Sequence, residues 1–148
     1  EELGDDLVRS PAAAQKDEYG CFSGGIIDMA LKLSQSMRKL DMVAGYNADV
    51  ESIYKVAFLR AIAECGDSKE RMFEPHDSDW HIEKLGLLYK RNPKLNGTTW
   101  TTRAIEIATV KQINLTSEEV MALLTAANEH PYNDLARLLK SANTLLVK

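Results

Sequence analysis

The 148-residue sequence has few of the features that mark secreted, membrane-embedded or metal-clustered proteins. Its only two cysteines, Cys21 and Cys65, are far apart and form no CxxC motif. Two isolated cysteines do not make a disulfide framework, so we interpret them as small apolar residues in a reducing compartment. No apolar run is long enough to span a bilayer, so we expect no membrane segment. Sustained strand-like alternation is also absent, which favours an all-α protein.

A positive charge excess is missing too. The chain has 18 Lys and Arg against 22 Asp and Glu, a formal net charge of −4. Such a protein has no long-range field that attracts phosphate backbones, which argues against nucleic-acid binding. The isolated cysteines and the missing membrane segment favour the cytoplasm or, for a viral protein, the host cytoplasm or the virion.

The apolar spacing predicts one compact domain of six or seven helices. We place an acidic, loosely ordered segment at 1–19 and the helical domain at 20–148. The first helix starts after Gly24-Gly25 and ends at Gly45, with a core face of Ile26, Ile27, Ala30, Leu33, Met37, Leu40 and Val43. Residues 67–77 read as a loop. The other predicted helices are 50–64 capped by Asn47 or Asp49, 77 or 78 to 92, 99–111, one with a capping box from Thr116 to Glu119, and 132–147.

The densest polar cluster lies in "EPHDSDWHIEK" and has two interpretations. A metal site needs several imidazoles or carboxylates that converge on one point, and this segment supplies candidates for it. The same acidic residues also favour the dipole at a helix N-terminus, which is the plainer interpretation. The residues concerned are Glu74, His76, Asp77, Asp79, His81 and Glu83.

The helix "VAFLRAIAECGD" contains an unexpected pair, Arg60-Ala61, in the middle of an apolar run. The order of this segment and its neighbours resembles the HD-domain superfamily of metal-dependent phosphohydrolases, in its short bacterial and phage form. The resemblance covers about residues 20–146. It depends on "FSGGIIDMALKL", "SIYKVAFLRAIAECGD", "SDWHIEKLGLLYKRNPKL", "LTSEEVMALLTAAN" and "LARLLKSANTLL".

The resemblance implies a metal site that this chain has lost. In the family, a histidine follows the aspartate of the first helix, and a His-Asp pair occupies the second. The matching residues here are Met29, Arg60 and Ala61. A later histidine and a closing aspartate correspond to Ala126 and Asn143. None of these five side chains can bind a metal and lower the pKa of its water as the reaction requires.

The resemblance therefore implies a degenerate domain with no catalytic residue, no metal and no cofactor. A retained fold with an erased site suggests that the surface matters, so we expect a pseudoenzyme that serves as a structural or protein-interaction accessory module of a phage or bacterium. Its expected partner is another protein, or a second copy of the chain in a homo-oligomer. Arg60 is expected to neutralise a carboxylate such as Asp28 or Glu64. The alternative function is a non-hydrolysing nucleotide or phosphate binder, with Arg60, Lys140 and Asn143 in the former pocket. A relocated metal site in "HDSDWH" is a third hypothesis.

Overall fold

A computed structural model of the chain describes residues 25–66, 72–76 and 78–146. The predicted N-terminal segment, Cys21 and Asp77 lie outside these ranges. Six α-helices occur in the described part: α1 (Gly25–Ala44), α2 (Val50–Ile62), α3 (Asp79–Leu85), α4 (Trp100–Val110), α5 (Ser117–Thr125) and α6 (Asp134–Leu146). The all-α prediction is confirmed. None of the helices in these ranges is both long and apolar enough to cross a membrane.

Helix α2 lies at the centre of the domain. It packs against α1, α4, α5 and α6, and α6 in turn contacts α1 and α5. One core cluster joins these five helices and includes fully buried Ile26, Leu33, Val56, Leu123 and Leu139. At roughly 1.5–3 kcal/mol for each large apolar side chain buried, this cluster supplies the main driving force for folding. It also fixes the end of α2 between α4 and α6.

Local sequence signals explain where several helices begin. The side chain of Asp49 accepts a hydrogen bond from the Glu51 amide at 3.2 Å and caps α2, as one of the two predicted caps. The predicted capping box is confirmed at α5, where Thr116 and Glu119 bond to each other's amides at 2.8 and 3.2 Å. Such caps stabilise a helix by ~1 kcal/mol each.

The segment between α2 and α4 differs from the prediction. A single helix from 77 or 78 to 92 is wrong, because α3 ends at Leu85 and Gly86 follows with φ +68°. Glycine adopts this left-handed conformation at little cost, and it ends the helix. The chain then forms β2 (Tyr89–Arg91), which pairs antiparallel with β1 (Phe73–Pro75). The predicted loop 67–77 therefore contains a short strand.

The predicted core face of α1 is wrong at one residue. Val43 is 88% exposed, whereas Ile26, Ala30, Leu33 and Met37 are buried. None of residues 41–47 is buried, so the last turn of α1 extends beyond the core before the chain turns at Gly45. Two short 3₁₀ helices, Ala63–Cys65 and Pro93–Leu95, complete the described elements. The first of them continues α2, so the predicted end near Glu64 is close to the observed one.

Candidate functional site

Arg60 is a buried cation with three partners from three different elements. Its side chain lies in the last turn of α2 and the residue is only 5% exposed. Nη1 donates to Glu64 Oε1 at 2.8 Å, and Nε donates to Asn143 Oδ1 on α6 at 3.1 Å. The guanidinium carbon lies 4.6 Å from the ring centroid of Trp100, the first residue of α4. Arg60 therefore connects the end of α2 to both α4 and α6.

The position of Arg60 in the helix makes this arrangement favourable. Residues four apart share a helix face, so Glu64 is within reach of Arg60. A cation in the last turn also interacts favourably with the negative end of the helix dipole. The prediction of a carboxylate partner is confirmed for Glu64. Asp28, the other residue considered, has a Lys32 ammonium 3.5 Å away.

A pocket of about 230 Å³ lies beside this cluster, between α4, α5 and α6. Helix α6 supplies one wall because residues 139, 140, 143 and 144 share a face at helical spacing. The first residue of α4 supplies the aromatic wall, and the two alanines at the end of α5 complete the pocket. Its lining residues are Trp100, Ala126, Ala127, Leu139, Lys140, Asn143 and Thr144.

Lys140 is already engaged with the backbone. Its Nζ donates to the carbonyl oxygens of Asn128 at 2.7 Å and Glu129 at 3.2 Å, just past the end of α5. These carbonyls belong to the turn that follows α5, so the lysine stabilises that turn. Two of the three residues suggested for ligand binding thus line the pocket, and the third, Arg60, bonds to one of them.

The five matched metal positions fall into two groups. Ala126 and Asn143 line the pocket, and Arg60 contacts Asn143. Met29 and Ala61 are buried in the main core cluster. Across the described ranges, no group of three or more His, Cys, Asp and Glu side chains is placed to hold a metal ion.

The "HDSDWH" segment is only partly described. Asp77 lies outside the described residues, and the side chains of Glu74 and His81 are not described either. His76 Nδ1 accepts a hydrogen bond from the Ser78 amide at 3.2 Å, which closes a turn just before α3. Asp79 and Glu83 are exposed on α3. The described part of this segment therefore fits the helix-start interpretation.

Sequence reasoning missed Arg103, a second buried arginine that fixes the same end of α2. Its Nε donates to the Ala63 carbonyl oxygen at 2.7 Å, and its Nη1 donates to Thr98 Oγ1 at 2.8 Å. The signal was available in part, because Arg103 lies four residues before the buried Ile107 on the same face of α4. A buried arginine needs hydrogen-bond acceptors, and a carbonyl at the end of a helix supplies one.

Glu119 is a buried carboxylate on the other side of α2. Lys55 Nζ lies 3.1 Å from Glu119 Oε1. Burial raises the pKa of this carboxyl, but the Thr116 amide, Lys55 and Ser52 outweigh it, and the net pKa lies below its usual value. Oε2 of Glu119 has no hydrogen-bond partner in the described structure. The lowered pKa indicates a carboxylate that stabilises the fold in its charged form.

Comparison of the chain with models of known protein families, with curated proteins and with solved structures finds no match in any of the three.

Proposed function

We propose that this chain is a catalytically inactive, HD-like helical domain that acts as a protein-interaction module. The observation that carries this proposal is the internal neutralisation of Arg60 by Glu64, with further contacts to Asn143 and Trp100. A guanidinium paired in this way is part of the protein framework. The position that resembles a metal ligand in the family thus has a structural role here.

The interaction surface in this proposal is the α1–α2 face, formed by Leu31 and Met42 of α1 and Val50, Tyr54 and Phe58 of α2. All five are large apolar residues that the domain leaves exposed, and Met42 is 83% exposed. Val50, Tyr54 and Phe58 follow each other at intervals of four and form one stripe. Arg38 Nη1 donates to the Tyr54 hydroxyl at 3.2 Å and joins the two helices into one face.

We assign this face to a second copy of the chain. A fully exposed aromatic side chain offers roughly 150–250 Å². The partly exposed residues of the face therefore present on the order of 500 Å², comparable to one side of a small interface. The same two helices carry both signs of charge, with exposed Lys39 on α1 and exposed Glu51 on α2. A two-fold arrangement that sets α1 against the partner's α2 brings these opposite charges together.

Light scattering during gel filtration tests this assignment. We expect a dimer for the natural chain and a monomer for Met42→Glu/Phe58→Glu, with unchanged circular dichroism. Leu145→Glu is the matched control, because Leu145 is exposed on α6, and it should remain dimeric. A natural chain that is monomeric at millimolar concentration contradicts the self-association but leaves the proposal of inactivity intact.

A chromogenic phosphate ester with added Mn²⁺ tests the proposal of inactivity separately. We expect no turnover above that of buffer and metal alone. Turnover that copurifies with the natural chain and is lost in Arg60→Ala, with the variant still folded, would overturn it.

Nucleotide or phosphate binding is the weaker alternative. Ligand pockets for drug-sized molecules usually measure about 300–1,000 Å³, and the pocket here is smaller, at about 230 Å³. Of its two nearest cations, Arg60 is neutralised by Glu64, which leaves Lys140 alone to offset the charge of a phosphate dianion. A rise in the melting temperature with millimolar AMP would favour this alternative, because a ligand that binds only the folded state stabilises it.

A further inference from the structure

The pocket beside Trp100 offers hydrogen-bond donors but no carboxylate. Asn143 Oδ1 already accepts a hydrogen bond from Arg60 Nε. The Nδ2 group of the same amide therefore remains available to donate hydrogen bonds to a ligand. Nδ2 of Asn143 and Nε1 of Trp100 have no hydrogen-bond acceptor within the described part of the chain. Arg60 thus acts as a positioning residue, because its hydrogen bond to Oδ1 fixes the orientation of the Asn143 side-chain amide and therefore of Nδ2.

Lys140 adds a positive charge that no acidic side chain of the described residues neutralises. Its ammonium has three N–H groups, and two of them donate to the carbonyls of Asn128 and Glu129. Carbonyl oxygens satisfy hydrogen bonds but do not cancel the charge. Because Arg60 and Glu64 neutralise each other, the pocket has a net charge of about +1, which suits a singly charged anion.

The other part of the lining is apolar. Ala126, Ala127, Leu139 and the indole ring of Trp100 offer a surface that a small inorganic anion would leave uncovered. An apolar cavity of about 150 Å³ is known to hold one benzene molecule. The volume of about 230 Å³ therefore has room for a ring or a branched chain together with one carboxylate group.

From this combination we propose that the pocket binds a small monocarboxylate with an aromatic or branched apolar body. The carboxylate accepts from Lys140 Nζ and Asn143 Nδ2, and the body packs on Trp100 and Leu139. This site is separate from the α1–α2 face, and it needs neither dimerisation nor catalytic activity.

Calorimetric titration with sodium benzoate tests the proposal, with amide chemical shifts to locate the site. We expect saturable binding with Kd in the millimolar range or below and shifts centred on the Trp100 indole and the Asn143 side-chain amide. Benzamide, which lacks the charge, and inorganic phosphate, which lacks the apolar body, should each bind about tenfold more weakly or worse.

Two variants distinguish benzoate binding in this pocket from nonspecific anion binding elsewhere on the surface. Ala127→Leu places a larger side chain in the pocket at an exposed residue, so it should weaken benzoate binding about tenfold while the fold is kept. Leu145→Ala, on the outer face of α6, should bind benzoate as the natural chain does. The proposal is overturned if benzoate does not saturate, if phosphate binds as tightly as benzoate, or if Ala127→Leu has no effect.

Discussion

Replacing Arg60 with methionine tests the central cluster most directly. Methionine is long enough to keep much of the packing against Trp100, but it removes the charge and both hydrogen bonds. Glu64 then keeps its carboxylate beside a largely apolar environment, with its side chain 14% exposed. Asn143 loses the donor that fixes its orientation.

The expected loss of stability follows from this unpaired carboxylate. Removing one partner of a buried ion pair costs about 3–5 kcal/mol. Glu64 keeps some contact with solvent, so we expect Arg60→Met to lower the free energy of unfolding by ~3 kcal/mol. The double variant Arg60→Met/Glu64→Met removes both charges and should lie within ~1 kcal/mol of the natural chain, because apolar replacements of buried pairs are often neutral.

Urea unfolding with linear extrapolation measures both changes, and Arg60→Met, Glu64→Met and the double variant form a double-mutant cycle. With Arg60→Met at ~3 kcal/mol and the double variant at ~1 kcal/mol at most, the coupling energy between Arg60 and Glu64 is at least ~2 kcal/mol, to which the cost of Glu64→Met adds. Exposed surface ion pairs contribute less than ~1 kcal/mol to stability. If Arg60→Met lowers the free energy of unfolding by less than that, the pair is not energetically buried and the prediction is refuted. A double variant as unstable as Arg60→Met would refute it as well.

Three further predictions concern other buried groups. Arg103→Met should cost ~2 kcal/mol in urea unfolding, because it leaves the Ala63 carbonyl without its side-chain donor. Glu119→Gln should be ~1–2 kcal/mol less stable at neutral pH, since the cap and the Lys55 contact are weakened. The carboxyl pKa is lowered on folding, so this difference is present above about 4.5 and shrinks as the pH falls through the folded-state pKa. Ala61→Asp should cost ~3 kcal/mol or more, because it buries a carboxylate in the core.

Exposed residues supply the controls for two of these changes, and the pH dependence supplies the control for Glu119→Gln. Arg137→Met removes an arginine whose ion pair with Asp134 is half exposed, and it should cost less than ~0.5 kcal/mol. Ala127→Asp introduces a carboxylate at an exposed alanine and should be tolerated far better than Ala61→Asp. If either control equals its buried counterpart, burial is not the cause. For Glu119→Gln, a difference that persists unchanged at pH 3 contradicts the lowered pKa.

The sequence predicted the helices where its signals are local. Asp49, and Thr116 with Glu119, are capping residues whose side chains bond to amides two or three residues away, so position in the chain is enough to identify them. The hairpin of 73–75 and 89–91 was missed because its pairing joins segments that are far apart in the chain. The end of α3 depended on the conformation of Gly86, which a helical apolar pattern does not reveal.

In the candidate site, too, the contacts within one helix were predictable from the sequence, and the contacts between helices were not. The sequence alone determined that an arginine sits in an apolar helix and that a carboxylate four residues later shares its face, because helix geometry fixes that spacing. Only the tertiary structure decided that Asn143 and Trp100 meet Arg60, that Lys140 bonds to carbonyls after α5, and that Met29 and Ala61 lie in the core. These contacts join residues up to 83 positions apart, and they exist only because the apolar faces of α2, α4, α5 and α6 pack together.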